Sequence, residues 1–491
     1  MDISTLIGSL FVVLYSITII GLVSLVVLEN RNPLKTIPWV LVLIFVPGIG
    51  LAVYYFFGQD NRRLHIISRR IYKRFRRQVK LDIQPGSLQE VPPDYLPLAN
   101  LLKHSSYSAI FGGCEISFFT NGSDKFDRLI EDIRAARHHI HLQYYIFNDD
   151  ETGHKVRREL ISKAREGVLI RVLYDDVGCW DTKHRFFEEM KSAGIEVYPY
   201  LKVVFPILTG KVNYRNHRKV VVIDGRVGYM GGMNIADRYV LGNKLGVWRD
   251  THFRITGAGV YGLQASFLLD WYSMSRNIVK GREFFPATPA SPSSPPLSPL
   301  SLTPSSTSSD LKMQIVTSGP TNMWPTLMQG YIYCITNAKR YIYIQTPYFL
   351  PTEALNQALT MAALGGIDVR LMIPRRSDTL SAQLATLSYV EKMLQSGVKV
   401  FLYDKGFLHS KLLLIDDMLT CFGSSNFDFR SFEHNFELNA FVYQTDFALR
   451  MKQMFTDDMA DCREVSYPEW RRRPLPVRLA ESFMRLFAPL L

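Results

Sequence analysis

Asn216 to Asn234 reads NHRKVVVIDGRVGYMGGMN, and Leu408 to Asn426 reads LHSKLLLIDDMLTCFGSSN. In both stretches Lys lies two residues after His, Asp seven after and Asn seventeen after: His217, Lys219, Asp224 and Asn234 in the first, His409, Lys411, Asp416 and Asn426 in the second. At ordinary residue frequencies a given His meets the Lys and Asp offsets by accident about once in 300 times, so a double match is not coincidence. The apolar runs Val220 to Ile223 and Leu412 to Ile415 read as buried strands. His and Lys two apart on a strand share a face, so the pleat delivers an imidazole and an ammonium side by side.

The repeat extends outward from these stretches. HIHLQYYIF from His139 matches YIYIQTPYF from Tyr341, GVLIRVLYD from Gly167 matches GIDVRLMIP from Gly366, and AGIEVYPY near Gly194 matches SGVKVFLY near Gly397, in the same order. Helix-like stretches precede the apolar runs, as at Phe126 to Arg137, Lys155 to Glu166 and Thr182 to Ala193. Alternating strands and helices in two copies predict an α/β fold of two tandem sandwich lobes. Between them Pro286 to Ser309 is almost wholly Pro, Ser, Thr and Ala, too poor in apolar surface to offset its ordering entropy, and is expected to be a disordered connector.

Leu6 to Leu28 runs without a charge and would be about 35 Å long as a helix, enough to span a bilayer. Ile37 to Gly58 is also uncharged, ends in Tyr54, Tyr55, Phe56 and Phe57, and carries Pro47, Gly48 and Gly50, where a kink is expected. Together they predict a transmembrane hairpin. Of the net charge of +12, the segment Gln59 to Lys80 supplies most, with Arg62, Arg63, Arg69, Arg70, Lys73, Arg74, Arg76, Arg77 and Lys80 against Asp60 alone. Such a run just after the hairpin places the body of the chain on the cytoplasmic side and suits an anionic membrane surface. The expected organisation is therefore a hairpin over 1–58, a basic segment over 59–112, lobes over 113–284 and 312–465, a connector over 285–311 and an amphipathic tail over 466–491. In the tail, Leu479, Phe483, Leu486 and Phe487 share an apolar side that either lies in the membrane interface or packs on a lobe. Cys114, Cys179, Cys334, Cys421 and Cys462 are odd in number and show neither a paired nor a zinc-ligand spacing, which argues against a disulfide framework.

The residue types point to phosphodiester chemistry. Two lobes brought together would surround one phosphate with two His, two Lys and two Asn. One imidazole can attack phosphorus while the other handles the alkoxide proton. The Lys and Asn side chains would stabilise the non-bridging oxygens, with no metal or other cofactor required. Asp250 in WRDTHFRI and Glu437 in NFELNAFV occupy corresponding places downstream and are the expected orienting carboxylates, one for each half. Asp224 and Asp416 complete the catalytic motif where a strand ends and a turn begins, a position that favours bonding to backbone or to a basic side chain over direct chemistry.

On these residues, with GYMGGMNIADRY, WRDTHFRITG, QTPYFLP and FGSSNFDFRSFEHNFELN, the chain resembles the phospholipase D superfamily, and most closely its cardiolipin synthase branch. The resemblance implies phosphatidyl transfer between two phosphatidylglycerol molecules, giving cardiolipin and glycerol through a phosphohistidine, in a bacterial inner membrane. By the same analogy His217 is the nucleophile and His409 the general acid/base, although exchanging them leaves the residue argument unchanged. A hydrolytic phospholipase D or another phosphatidyltransferase would use the same residues. A nuclease fits poorly with the charge-free hairpin, so no nucleic-acid partner is expected.

Overall fold

The computed structural model describes residues 3–28, 33–54, 91–203, 213–287 and 310–491. The basic run from Gln59 to Lys80 and nearly all of the Pro/Ser connector lie outside the described residues. The chain divides into two compact units, Met1–Leu64 with Val203–Asn213, and His65–Lys202 with Tyr214–Leu491.

The first unit is built on a 26-residue helix, Ile3–Leu28. Among the described residues it supplies the one helix long and apolar enough to cross a membrane, over Gly8–Leu28. The second apolar segment forms two shorter helices, Pro33–Phe45 and Pro47–Val53, broken at Val46 (φ −138°, ψ 60°). Pro47 has no N–H to continue the helix and its ring crowds the preceding turn, so a new helix starts there with proline in its first turn. Val26, Leu43 and Tyr54 form a small buried cluster, with the Trp39 and Tyr54 rings edge to face at 5.4 Å.

In the second unit the first repeat contributes β1 (Ile110–Phe119), β2 (His139–Tyr144), β3 (Leu169–Asp175), β4 (Glu196–Tyr200), β5 (Val220–Ile223), β6 (Val227–Gly231), β7 (Trp248–Arg249) and β8 (His252–Thr256). The second contributes β9 (Leu311–Ser318), β10 (Tyr341–Gln345), β11 (Phe349–Leu350), β12 (Asp368–Pro374), β13 (Lys399–Tyr403), β14 (Phe407–Leu408), β15 (Leu412–Ile415), β16 (Leu419–Gly423), β17 (Phe427–Asp428), β18 (Glu437–Tyr443) and β19 (Cys462–Val465). Fifteen of these described strands form one sheet in the order β19-β13-β12-β10-β15-β16-β18-β9-β1-β8-β6-β5-β2-β3-β4. The repeats meet where β1 and β9 pair antiparallel, Ile110 opposite Gln314. The internal register repeats as well: Gln143 lies opposite Val220 and Gln345 opposite Leu412.

Strands β5 and β15 are apolar on both faces because both faces are covered. Val220 and Val222, with Leu412 and Leu414, point into a core shared by the two repeats and filled by Phe267, Trp271, Phe447 and Phe455 from the helices Gly259–Ser275 and Thr445–Met459. In that core the Phe253 and Phe422 rings stack at 3.6 Å. The alternate residues Val221 and Ile223 face the helices Gly122–Ala135, Glu151–Arg165 and His184–Ser192, while Leu413 and Ile415 face the outer helices of the second repeat. All five cysteines are unpaired, and Cys462 alone is more than slightly exposed.

Each of these strands ends on the motif aspartate in a left-handed turn, φ 53° at Asp224 and φ 54° at Asp416. The Asp224 carboxylate accepts the backbone N–H groups of Arg137, His138 and His139 at 2.8, 2.8 and 2.9 Å. Asp416 accepts those of Lys339, Arg340 and Tyr341 at 2.6, 2.7 and 2.9 Å. Both carboxylates therefore latch the start of the neighbouring strand, β2 or β10. Replacing either by Ala is expected to cost about 2 kcal/mol, the loss of a charged acceptor shared by three donors, and to lower the thermal unfolding midpoint of the full chain in detergent.

Candidate active site

The two His-x-Lys segments leave the sheet just before β5 and β15, and each is stitched by backbone hydrogen bonds to the opposite repeat. His217 N–H donates to the Phe436 carbonyl (2.9 Å), and Phe436 N–H donates to the Arg215 carbonyl (2.8 Å). In the mirror arrangement β14 pairs in parallel with β7, Leu408 opposite Arg249, and His409 N–H donates to the Arg249 carbonyl (2.7 Å). The residue following Phe436 is Glu437, and the residue following Arg249 is Asp250. The carboxylates are consequently exchanged: His217 Nδ1 donates to Glu437 at 3.0 Å, and His409 Nδ1 to Asp250 Oδ2 at 2.6 Å. The sequence reading gave each half its own carboxylate; the structure gives each half the other's.

The structure brings His217, Lys219, His409, Lys411, Asp250 and Glu437 together, with none more than 8% exposed. Lys219 Nζ donates to the His217 carbonyl at 2.6 Å, while Lys411 Nζ donates to the His409 carbonyl and lies 2.8 Å from His409 Nδ1. Rings wall the imidazoles, Tyr145 edge-on to His217 at 5.0 Å and Trp248 beside His409 at 5.2 Å. Asn234 and Asn426 are buried too, but their amides are engaged within the protein: Asn234 accepts from Ile146 N–H and donates to Tyr239, and Asn426 donates to Asp428. Asp224 and Asp416 stand apart from this cluster, at the far ends of β5 and β15.

Burial dominates the electrostatics. It pushes His217 down to about 4 against the pull of Glu437, with Lys219 and Lys411 adding to the fall. His409 is lowered further, by burial and then by Lys411, Lys219 and His217. Burial also brings Lys219 to about 7 and Lys411 to about 8, and lifts Asp250 to about 6. For Glu437 burial works upward, yet His217, Lys219 and the Ser424 hydroxyl outweigh it and hold the carboxyl below its usual range. The result at neutral pH is two neutral imidazoles, each with Nδ1 held by a carboxylate and Nε2 left for chemistry.

A second ring of residues lies outside the expected site set, although Gln143 and Gln345 occupy matched places in the repeat. Gln143 and Gln345 donate to Asp270 and Asp458 at 2.6 and 2.7 Å. Asp270 pairs with Arg218 at 2.7 Å, and Asp458 with Arg249 at 2.6 Å. Asp175, fully buried, accepts Asn216 N–H (2.8 Å) and faces Arg215 at 3.3 Å, fixing the segment that leads into His217. One signal was available: Asp270 is the sole carboxylate in the apolar helix Gly259–Ser275. Among the described residues no cluster of three or more His, Cys, Asp or Glu could hold a metal ion.

The family model described as cardiolipin synthase, PLD-like domain matches residues 129–247 and 331–459, one match on each half-site. The chain belongs to the cardiolipin synthase family. A model of the phospholipase D-nuclease N-terminal region matches residues 16–59. The major cardiolipin synthase ClsA of Bacillus subtilis (strain 168) is 39% identical over 100% of both chains. The cardiolipin synthase of Geobacillus kaustophilus is 39% identical over 98% of this chain and 94% of its own length. Among solved structures, phosphatidylserine synthase of Haemophilus influenzae superposes with a TM-score of 0.60 at 14% identity, over 80% of this chain and 100% of that one, and shows the shared fold. Membership of this family carries with it phosphatidyl transfer on phospholipids and association with the membrane.

Replacing either orienting carboxylate by its amide, Glu437→Gln or Asp250→Asn, is expected to lower kcat by about two to four orders of magnitude through misorientation of the imidazole. The exchanged pairing has its own signature in double-mutant kinetics: Glu437→Gln adds little to the loss caused by His217→Ala, and Asp250→Asn adds little to that caused by His409→Ala, because each carboxylate acts through the histidine of the other repeat.

Proposed function

We propose that this enzyme condenses two phosphatidylglycerol molecules into cardiolipin and glycerol, with the two exchanged half-sites dividing the proton and nucleophile roles. The observation that carries this reading is the paired Nδ1–carboxylate contacts, His217 with Glu437 and His409 with Asp250, which leave two Nε2 atoms as the reactive edges of one basic site. In the first step His217 Nε2 attacks phosphorus, the bond from phosphorus to the headgroup glycerol oxygen breaks, and His409 supplies the proton that leaves with glycerol. In the second, His409 takes the proton from a hydroxyl of another phosphatidylglycerol. That oxygen then attacks phosphorus, the phosphorus–nitrogen bond breaks and His217 is freed. Lys219 and Lys411 stabilise the negative oxygens in both transition states.

Burial and the neighbouring lysines set the depressed imidazole values. An anionic phosphodiester beside Lys219 and Lys411 offsets their repulsion of the imidazolium, so substrate itself favours the protonated general acid. Both apolar N-terminal segments are proposed to cross a bacterial inner membrane with the lobes on the cytoplasmic side, on the strength of the basic run from Gln59 to Lys80. That run would also hold the enzyme at an anionic surface.

Purified full-length enzyme given phosphatidylglycerol with a labelled headgroup is expected to release glycerol and form cardiolipin; phosphatidic acid without cardiolipin would sink the transfer reading in favour of hydrolysis. With phosphorus-labelled donor, His409→Ala is expected to retain acid-labile label on the protein and His217→Ala to retain none; the opposite pattern exchanges the two roles. Lys219 and Lys411 lose their charge as pH rises through about 7 and about 8. Because kcat/KM reports the free enzyme, it is expected to fall over that window in a pH profile.

A further inference from the structure

The C-terminal helix, Leu475–Arg485, turns its charged residues toward the lobe, where Met484 and the following Ala488 also pack. Glu481, 3% exposed, takes a bidentate pair from Arg473 at 2.5 and 2.9 Å. Arg473 in turn lies 3.6 Å over the buried Trp470 ring. Arg478 reaches Glu391 at 3.4 Å, and Arg485 sits 4.3 Å over the Tyr389 ring, both on the helix Leu380–Gln395. These are all the charged residues between Pro474 and Leu491, and every one faces the lobe. What remains outside is one apolar stripe at helical spacing: Leu475, Leu479, Phe483, Leu486 and Leu490, each at least 60% exposed.

A helix on a water-facing surface turns its apolar face to the core and its charges outward. Here the charged contacts hold Leu479 and Phe483 outward, so the helix cannot roll to bury the stripe without breaking the Arg473–Glu481 ion pair. We infer that this stripe is a membrane-interface anchor that seats the catalytic lobes on the phospholipid surface from which substrate is drawn. Two observations choose lipid as the occupant. Arg471 and Arg472, exposed immediately before the helix, supply the cationic flank that anionic headgroups attract beside a buried apolar face. The stripe also ends on the segment that carries one motif asparagine: Arg430 Nη1 donates to the Leu490 carbonyl at 3.3 Å, and Arg430 belongs to the short helix Phe429–Glu433 that follows Asn426 and Asp428. The inference rests on the phospholipid-substrate reading for the choice of partner, not on the chemical roles of the histidines.

The test uses full-length protein in vesicles of phosphatidylglycerol and phosphatidylcholine, with Phe483→Cys carrying an environment-sensitive fluorophore and the parent chain, whose cysteines are buried or half-buried, as labelling control. Quenching by lipids brominated along the acyl chain, with protection from aqueous iodide, is expected. The same result in a His217→Ala background keeps this outcome separate from any failure of the proposed chemistry. Quenching by iodide and not by bromolipid would place the stripe in water and overturn the proposal. Protection from both quenchers, with cross-linking between labelled chains, would assign the stripe to a second copy and also overturn it. The variant Leu479→Glu/Phe483→Glu is expected to raise the apparent KM for vesicle phosphatidylglycerol by about tenfold or more, with an unchanged thermal midpoint because both side chains are exposed. An unchanged KM would equally count against the anchor.

Discussion

Two short parallel backbone pairings carry the active site: Arg215 to His217 against Phe436, and Leu408 and His409 against Arg249. Each fixes a histidine one residue away from a carboxylate of the opposite repeat. Neither repeat holds a complete half-site, so docking of the lobes and assembly of the chemistry are the same event. Asp250 and Glu437 are fully buried. A buried carboxylate without its partner is strongly unfavourable, so the exchanged pairs also specify which surfaces of the repeats meet.

The site that results is buried and rich in nitrogen. Two lysines and two histidines share it with two carboxylates; burial with repulsion from the lysines keeps the histidines neutral, and burial draws the lysines down toward neutrality. A phosphodiester anion relieves that repulsion on entry. In the proposed reaction, substrate charge, lysine protonation and the proton on the general acid would therefore be coupled, and the preorganised positive edge would be in place when the phosphorus centre becomes crowded with charge.

Pseudo-symmetry is kept in space where it is lost in sequence. Around the first half-site Gln143 and Asp270 hold Arg218, which stands between His217 and Lys219. Around the second, Gln345 and Asp458 hold Arg249, which comes from the other repeat, because Ser410 occupies the matching place. A guanidinium supports each pairing from beneath, supplied once from within the motif and once from across the interface. The C-terminal helix departs from symmetry altogether and adds to the second repeat an apolar face that the first does not possess.

Much of this protein was legible in the chain. The duplicated spacing of His, Lys and Asp, the matched apolar runs and the uncharged N-terminal segments determined the fold class, the two half-sites and the membrane association, because strand periodicity and charge-free length are local properties. The turn position of Asp224 and Asp416 likewise foretold their service to backbone, since their backbone partners lie at a fixed place beside the strand. What only the tertiary structure decided is who meets whom. The exchange of Asp250 and Glu437, the roles of Arg218, Arg249, Asp270 and Asp458, the engagement of both asparagines inside the protein and the outward turn of Leu479 and Phe483 all depend on contacts between segments far apart in sequence. Residue spacing within one segment carries no information about the direction from which a distant carboxylate arrives.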